Sequence, residues 1–225
     1  MNNYKIKIIV IGDTNVGKSS LIERYYKNLK KDYSPTKTYM TIGIDFRIIK
    51  DCYNYKNYLL EIWDSAGQEK YRSICKTFYK NKNFTIIVID ISSFFEKDKF
   101  LLNKFINYTK YWIEENNNNI TNINSSKLII VINKIDKIDQ DILHLYEDTI
   151  INNINELIKD YSNILKFYFS SVRTNFNVNE IFFELVQYYE ENYNTMYRLS
   201  TDSLSTIDLD SNKSFNVSNK KCCNI

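Results

Sequence analysis

The sequence predicts an α/β fold in which a six-stranded, mostly parallel sheet is flanked by helices and followed by a flexible C-terminal tail. Three observations support this prediction. Short, strongly apolar runs of strand length alternate with longer stretches of helical periodicity, as in parallel sheets that are covered on both faces. The first apolar run leads directly into a glycine-containing loop. Beyond Tyr193 the chain turns to Ser, Thr, Asn and Asp with few large apolar residues, a composition typical of disorder.

The apolar runs and the periodic stretches give the elements in chain order. The second and third strands form an antiparallel pair, because only a short polar turn separates them. An Asn-rich segment, residues 116–126, is predicted to be a solvated loop. The predicted strands span residues 5–11, 43–53, 58–64, 84–91, 128–133 and 165–170. The predicted helices span residues 19–27, 97–115, 141–161 and 177–193.

Length and composition limit the class of protein. The 225 residues suit one domain, residues 1–193, with residues 194–225 as its tail. A net charge of +3 without a dense basic stripe argues against nucleic acid as a partner. No apolar run approaches the roughly 20 residues of a membrane span, and no secretory signal precedes the first strand. Four cysteines without disulfide or zinc spacing favour a reducing compartment, and we expect a cytoplasmic monomer.

The glycine-containing loop, Gly12 to Ser19, matches G-x-x-x-x-G-K-[ST] between a strand and a helix. This pattern is typical of P-loop NTPases, in which backbone N–H groups and a helix N-terminus surround a phosphate. Lys18 would contact the β- and γ-phosphates, and the Ser19 hydroxyl would ligate Mg²⁺. An ordinary strand-to-helix turn is the alternative, and the motif's context disfavours it. The predicted nucleotide-binding residues of the loop are Asn15, Val16, Gly17, Lys18, Ser19 and Ser20.

The segment from Asn133 to Asp136 (Asn-Lys-Ile-Asp) follows an apolar run and predicts a guanine site. The Asp136 carboxylate can accept hydrogen bonds from guanine N1–H and the 2-amino group, whereas adenine offers no such pair of donors. Each hydrogen bond to a charged group contributes about 1.5–3 kcal/mol, so the contact would discriminate between the bases. Asn133 would brace the loops, and the Lys134 stem would pack over the base. The two motifs together predict binding of GTP and GDP.

With these motifs the chain resembles the small GTPases of the Ras superfamily. The segment from Asp64 to Gln68 (Asp-Ser-Ala-Gly-Gln) resembles the family's second switch. The resemblance implies that Asp64 holds Mg²⁺ through water, that the Gly67 amide contacts the γ-phosphate, and that Gln68 orients the attacking water. Thr41 resembles the first-switch threonine that ligates Mg²⁺ while the γ-phosphate is present. The predicted catalytic residues are therefore Gln68, Lys18 and Thr41, and the predicted metal ligands are Ser19, Thr41 and Asp64.

The chain departs from the family pattern around the base. The stretch from Lys18 to Thr41 is about four residues longer than usual, and Tyr33 is the candidate for stacking on the base. Ser171, Val172 and Arg173 stand where the family has Ser-Ala-Lys, and the Val172 N–H can still meet guanine O6. Asn15 replaces a residue that is usually small. No arginine stands in the first switch, so hydrolysis should be slow until an activating protein supplies a charge in trans.

Within the superfamily the chain resembles the Rab branch. Ile42-Gly43-Ile44-Asp45-Phe46 is close to that branch's first-switch signature. Aromatic residues stand at the positions that effectors contact in Rab proteins, although the same residues could simply pack on the sheet. The predicted effector-binding residues are Ile44, Phe46, Trp63 and Phe78.

The chain ends in Lys220-Lys221-Cys222-Cys223-Asn224-Ile225, which resembles the double geranylgeranylation site of Rab proteins. A C-a-a-X motif beginning at Cys222 is the alternative. Two lipid chains give stable attachment and one gives only marginal binding, so Cys222 and Cys223 together predict a peripheral protein on the cytosolic face of intracellular membranes. The resemblance also implies an exchange factor, a GTPase-activating protein, an escort or GDI-type chaperone, and effectors as partners.

The predicted function is a GTP- and GDP-cycling switch in vesicle trafficking, with slow Mg²⁺-dependent hydrolysis. A nucleotide-locked membrane adaptor is the main alternative, because the first switch is long and Asn15 is unusual. A P-loop kinase is a third candidate, but it conflicts with Asp136 and lacks a recognisable acceptor site.

Overall fold

A computed structural model of the chain describes residues 4–32, 44–65, 82–119 and 126–201, with side chains through residue 193. The strands in these ranges are β1 (Tyr4–Ile11), β2 (Ile44–Tyr53), β3 (Lys56–Ser65), β4 (Phe84–Asp90), β5 (Phe95–Glu96), β6 (Lys99–Phe100), β7 (Lys127–Asn133) and β8 (Ile164–Phe169). The α-helices are α1 (Lys18–Leu29), α2 (Leu102–Asn118), α3 (Gln140–Asp160) and α4 (Val178–Thr201). Short 3₁₀ turns span Ile91–Phe94 and Ile135–Lys137.

The main sheet has six strands in the order β2-β3-β1-β4-β7-β8. Only β2 runs antiparallel to its neighbour; the other pairs are parallel. The predicted fold class is therefore confirmed. From β1 the chain first adds β2 and β3 on one side of β1, and it then crosses to add β4 on the other side. Such a switch point opens a crevice at the carboxyl ends of the strands, where ligands bind in open α/β sheets.

Helices cover both faces of the sheet, and each face has its own apolar cluster. Strand β1 contributes Ile8 to one cluster and Ile9 to the other, since alternate side chains of a strand point to opposite faces. Leu21 of α1 and Phe182 of α4 pack in the first cluster, while Phe105 of α2 packs in the second. Burying a side chain of this size contributes roughly 1.5–3 kcal/mol. The two layers thus fix the ends of the strands that carry the site.

The predicted helix over residues 97–115 and the predicted loop over residues 116–126 are both wrong in part. The predicted helix from residue 97 begins only at Leu102, because the hairpin of β5 and β6 comes first. Lys97 has φ of 55°, a left-handed backbone that closes the hairpin and is incompatible with a helix. At its other end α2 continues to Asn118, so the predicted solvated loop is helical from residue 116 to 118. Asn116 is buried there and its Oδ1 accepts a hydrogen bond from Thr85 Oγ1 at 2.8 Å.

The last helix also differs from its prediction. Helix α4 was predicted to end at Tyr193 but continues to Thr201, past the predicted limit of the domain. The division into domain and tail remains a prediction, since residues 202–225 lie outside the described residues. Within the described ranges, no helix combines the length and the apolar character needed to cross a membrane.

Candidate functional site: a phosphate loop and a base loop at the strand ends

The phosphate loop, residues 12–17, connects β1 to α1 and depends on two glycines. Gly12 has φ of 139°, and a Cβ added there would lie 2.3 Å from the Val88 carbonyl oxygen. Gly17 has φ of 107°, and its added Cβ would lie 2.4 Å from Asn133 Nδ2. Asn15 lies in the left-handed region at φ of 65°, which Asn tolerates better than most residues. These positions let the loop curl tightly against β4 and β7.

Lys18 is buried at the start of α1, with 5% of its surface exposed. Its Nζ donates to the Gly12 oxygen at 3.0 Å and to the Asp13 oxygen at 2.6 Å. The ammonium therefore crosses the loop and lies close to its backbone. Together with the N-terminus of α1, its positive charge suits the loop to binding an anion.

The last residue of β7, Asn133, and the next residue, Lys134, hold the loop from outside. Asn133 Nδ2 donates to the Val16 oxygen at 2.8 Å, and Lys134 Nζ donates to the Asn15 oxygen. In a trans peptide the N–H points away from the C=O, so the N–H groups of Val16 and Gly17 are directed away from these side chains. The contact of Asn133 with Val16 is of the kind that a bracing role would need, and the role itself stays a prediction.

Asp90 at the end of β4 is a member of the site that sequence reasoning missed. Its Oδ2 lies 2.8 Å from Lys134 Nζ, and its Oδ1 accepts from the Ser92 N–H at 3.1 Å. Asp90 pairs in register with Asn133 on the neighbouring strand. A signal existed in the sequence, since Asp90 ends an apolar run just as Asn133 does, but nothing there linked it to Lys134.

The predicted base-binding residues also come together. Ser171 Oγ donates to Asp136 Oδ1 at 2.6 Å, which orients the carboxylate while leaving its second oxygen for other donors. Lys134 has φ of 65°, and this left-handed residue starts the 3₁₀ turn that carries Asp136. Val172 is 9% exposed and Arg173 is exposed to solvent. The structure thus places the residues after β7 beside those after β8.

The candidate metal residues lie at the ends of β3 and at the start of α1. Asp64 is 4% exposed and pairs in register with Val10, two residues before the phosphate loop. The Ser65 hydroxyl donates to the Val10 oxygen at 2.8 Å and fixes this end of β3. A buried carboxylate and the Ser19 hydroxyl are the oxygen ligands that Mg²⁺ prefers, so these residues fit the ion. This candidate site combines one carboxylate with a hydroxyl; a group of three or more His, Cys, Asp or Glu side chains that could hold a metal ion does not occur among the described residues.

Three of the predicted effector residues lie on the β2–β3 hairpin. Phe46 and Trp63 are register partners, and their ring centroids are 4.4 Å apart. Phe46 is 42% exposed, while Ile44 and Trp63 are partly buried. The pair therefore packs on the sheet and also presents an aromatic surface to solvent. The predicted residues Tyr33, Thr41, Gly67, Gln68, Phe78, Cys222 and Cys223 lie outside the described residues.

Comparison with known proteins identifies the family. Residues 7–191 match the model of the Ras family. The Ras-related protein Rab-1 of Theileria annulata is 36% identical over 171 residues, which cover 73% of this chain and 71% of the relative. The GTP-binding protein ypt1 of Schizosaccharomyces pombe is 27% identical over 224 residues, 98% of each chain. RABC1 of Arabidopsis thaliana is 31% identical over 184 residues, 82% of this chain and 76% of the relative. The chain therefore belongs to the Ras family and is a small GTPase of the Rab type.

Proposed function

We propose that this GTPase is a switch in vesicle trafficking that cycles between GTP and GDP and hydrolyses GTP slowly. The observation that carries the proposal is the junction of the two loops, where Asn133 and Lys134 donate to the carbonyls of Val16 and Asn15. This junction joins a phosphate site to a base site within one crevice. A nucleotide that contacts both loops would be held through its base, and its phosphates would lie at the phosphate loop.

The proposed chemistry assigns a role to each predicted residue. The N–H groups of residues 15–20 bind the phosphates, with Lys18 on the β- and γ-phosphates. Ser19, Thr41 and Asp64 would hold Mg²⁺, with Asp64 acting through water, and the bound ion would neutralise charge on the phosphate oxygens. Gln68 orients the attacking water, and the Gly67 amide contacts the γ-phosphate. Because only GTP offers that γ-phosphate, the segments that contain Thr41 and Gln68 differ between the two states.

The base contacts complete the proposed site. Asp136 accepts from guanine N1–H and the 2-amino group, and the Val172 N–H donates to O6. The Lys134 stem packs over the ring with Arg173 nearby, and Tyr33 is the candidate residue for stacking on the base. This arrangement favours guanine because adenine lacks both the donor pair and the O6 acceptor.

The proposed cycle needs partners and a membrane. An exchange factor replaces GDP, a GTPase-activating protein supplies the missing charge for hydrolysis, and an escort or GDI-type chaperone carries the lipidated chain. Effectors bind Ile44, Phe46 and Trp63 on the β2–β3 hairpin, together with the predicted effector-binding residue Phe78. Geranylgeranyl groups on Cys222 and Cys223 hold the protein on the cytosolic face of intracellular membranes.

Nucleotide competition tests the base site. The wild-type protein should bind GDP and ignore a large excess of ADP. Asp136→Ala removes two hydrogen bonds to a charged group and should weaken GDP binding by about a hundredfold or more. Asp139→Ala is the matched control, because Asp139 is an exposed carboxylate that only caps α3 by accepting from the Asp141 N–H at 2.9 Å. Equal affinity for GDP and ADP in the wild type would rule out the proposal.

Single-turnover hydrolysis tests the switch. Gln68→Leu should slow GTP hydrolysis by at least about tenfold while GDP affinity stays unchanged, since Gln68 acts on water and not on the bound nucleotide. A nucleotide-locked adaptor would hydrolyse GTP at the same negligible rate with either residue. That result would replace the switch with the adaptor.

A further inference from the structure

The base loop, residues 171–176, is closed on itself by its own backbone. The Ser171 N–H donates to the Phe176 oxygen at 3.2 Å, and the Phe176 N–H donates to the Ser171 oxygen at 3.0 Å. Because the Ser171 oxygen faces Phe176, the Val172 N–H on the same peptide points the opposite way. Within the described part of the chain, this N–H meets no acceptor. It is therefore available to donate a hydrogen bond to a ligand.

Helix α1 holds the same loop from behind. Arg24 Nε donates to the Val172 oxygen at 3.2 Å. One helical turn later, Asn28 Nδ2 donates to Asn175 Oδ1 at 2.8 Å and to Asn179 Oδ1 at 2.7 Å. Residues four apart lie on one helix face, so both contacts come from the same side of α1. A bond from a guanidinium to a carbonyl is charge-assisted and stronger than a neutral one.

We propose that Arg24 and Asn28 are positioning residues for base recognition, which hold the Val172 N–H where it donates to guanine O6. This inference rests on the guanine site proposed above. Neither side chain needs to touch the nucleotide, because each acts through the base loop. Since α1 begins at Lys18, one helix carries the phosphate contact at its start and sets the geometry of the base loop further along.

Two nucleotide analogues separate this contact from that of Asp136. In 6-thio-GDP sulfur replaces O6, which leaves only a weak acceptor for the Val172 N–H. IDP lacks the 2-amino group and so loses a donor to Asp136. The ratio of the Kd values for 6-thio-GDP and GDP therefore reports on the base loop, and the ratio for IDP and GDP reports on Asp136.

The variants follow from the contacts. Arg24→Met keeps the apolar stem but removes the donor, so we expect the preference for GDP over 6-thio-GDP to fall by about fivefold, as for one hydrogen bond. The preference for GDP over IDP should stay within about twofold of the wild type. Arg24→Lys restores a donor and should recover part of the lost preference. Asn28→Ala should change the same ratio in the same direction, and it carries the test if Arg24→Met does not fold.

Arg47→Met is the matched control. Arg47 pairs with Glu23, the neighbour of Arg24 on α1, but has no contact with the base loop. Both ratios should stay at their wild-type values in this variant. An unchanged 6-thio-GDP ratio in Arg24→Met and Asn28→Ala would overturn the inference, and so would an equal fall of both ratios. A wild-type protein that does not prefer GDP to ADP would instead remove the proposed function itself.

Discussion

Lys82 is the residue with the least expected environment. It is 3% exposed, and its Nζ donates to the buried Asn116 Oδ1 at 2.5 Å. Burial lowers the pKa of Lys82 well below its ordinary value, and the nearby charge of Lys7 lowers it further. Burial therefore makes the charged form of Lys82 less favourable in the folded protein than in the unfolded chain. At neutral pH this residue opposes folding, because the unfolded chain keeps its lysine charged in water.

Lys82→Met should consequently stabilise the protein. At about pH 7 we expect the free energy of unfolding to rise by about 1 kcal/mol or more, as when buried charges are replaced by apolar groups of similar volume. The folded-state pKa lies below the unfolded value of about 10.4, so the wild type loses stability as the pH falls through that interval. The gap between variant and wild type should thus narrow as the pH rises toward about 10. Urea titrations at several pH values measure it.

Lys127→Met is the control for this prediction. Lys127 begins β7 at the same end of the sheet, but its Nζ donates to the Ser162 oxygen at 3.1 Å in an exposed position. This variant should change stability little and independently of pH. A loss of stability in Lys82→Met would contradict the account.

Gly17 gives a second prediction at this scale. Gly17→Ala places a methyl group against Asn133 Nδ2 and forces a side chain into a left-handed backbone. Asn133 must then release the Val16 oxygen, and we expect GDP to dissociate at least about tenfold faster. Dissociation of a fluorescent GDP analogue measures the rate. Thr14→Ala, at an exposed position of the same loop, should leave the rate near wild type, and an unchanged rate in Gly17→Ala would show that the loop adapts.

Among the elements, β2 follows the segment that contains Thr41, and its neighbour β3 leads directly into the segment that contains Gln68. Strand β3 also carries Trp63, directly before Asp64. The only other tryptophan, Trp112, is 4% exposed on α2 and lies in the second apolar cluster. Of the two tryptophans, only Trp63 directly precedes a residue of the proposed metal site in the sequence.

Intrinsic fluorescence should therefore report the nucleotide. Exchange of GDP for a non-hydrolysable GTP analogue should change the emission of the wild type and of Trp112→Phe. Trp63→Phe should show no change, because Trp112 is buried in the second apolar cluster and we expect it to keep that environment in both states. A nucleotide-dependent signal that survives in Trp63→Phe and disappears in Trp112→Phe would place the conformational change elsewhere.

The elements also show what local patterns can predict. The strands of the main sheet were predicted to within a few residues, because each is a short apolar run between polar turns. The start of α2 was not, since the Phe95–Phe100 pairing that forms the hairpin competes with a helical pattern. Asn116 looked solvated because Asn favours loops, yet Lys82 and Thr85 supply buried donors for its oxygen. Partners that are distant in sequence leave no local signal.

At the scale of the whole molecule, the candidate site was predictable to the extent that its residues follow strands. Parallel strands end at one edge, so Lys18, Asp64, Asn133 and Asp136 had to meet there. The residues that hold them were not predictable. Asp90, Arg24 and Asn28 act through partners that are distant in the sequence; Arg24 is 148 positions from its partner Val172. Sequence motifs predict the residues that contact the ligand, but they do not predict the residues that position those contacts.

The chain terminus gives the prediction for the whole molecule. A Cys222→Ser/Cys223→Ser double variant should move from membranes to the soluble fraction of cells, because it loses the sites of both proposed lipid chains. GDP affinity should be unchanged, since the change lies outside residues 7–191 that match the family. Cys52→Ser is the control, because Cys52 is an exposed free cysteine of β2 and should leave localisation unaltered. Persistent membrane binding of the double variant would mean that another feature anchors the protein.

The contact of Lys134 with the Asn15 carbonyl has a consequence for how nucleotide leaves. This bond lies on the outer side of the phosphate loop, where Lys134 and Asp90 are partly accessible, each with 16% of its side chain exposed. A partner protein whose acidic side chain paired with Lys134 would remove this bond to the phosphate loop without entering the crevice. Such a protein would speed the release of GDP from the outer side of the phosphate loop, and the crevice would stay open to incoming GTP.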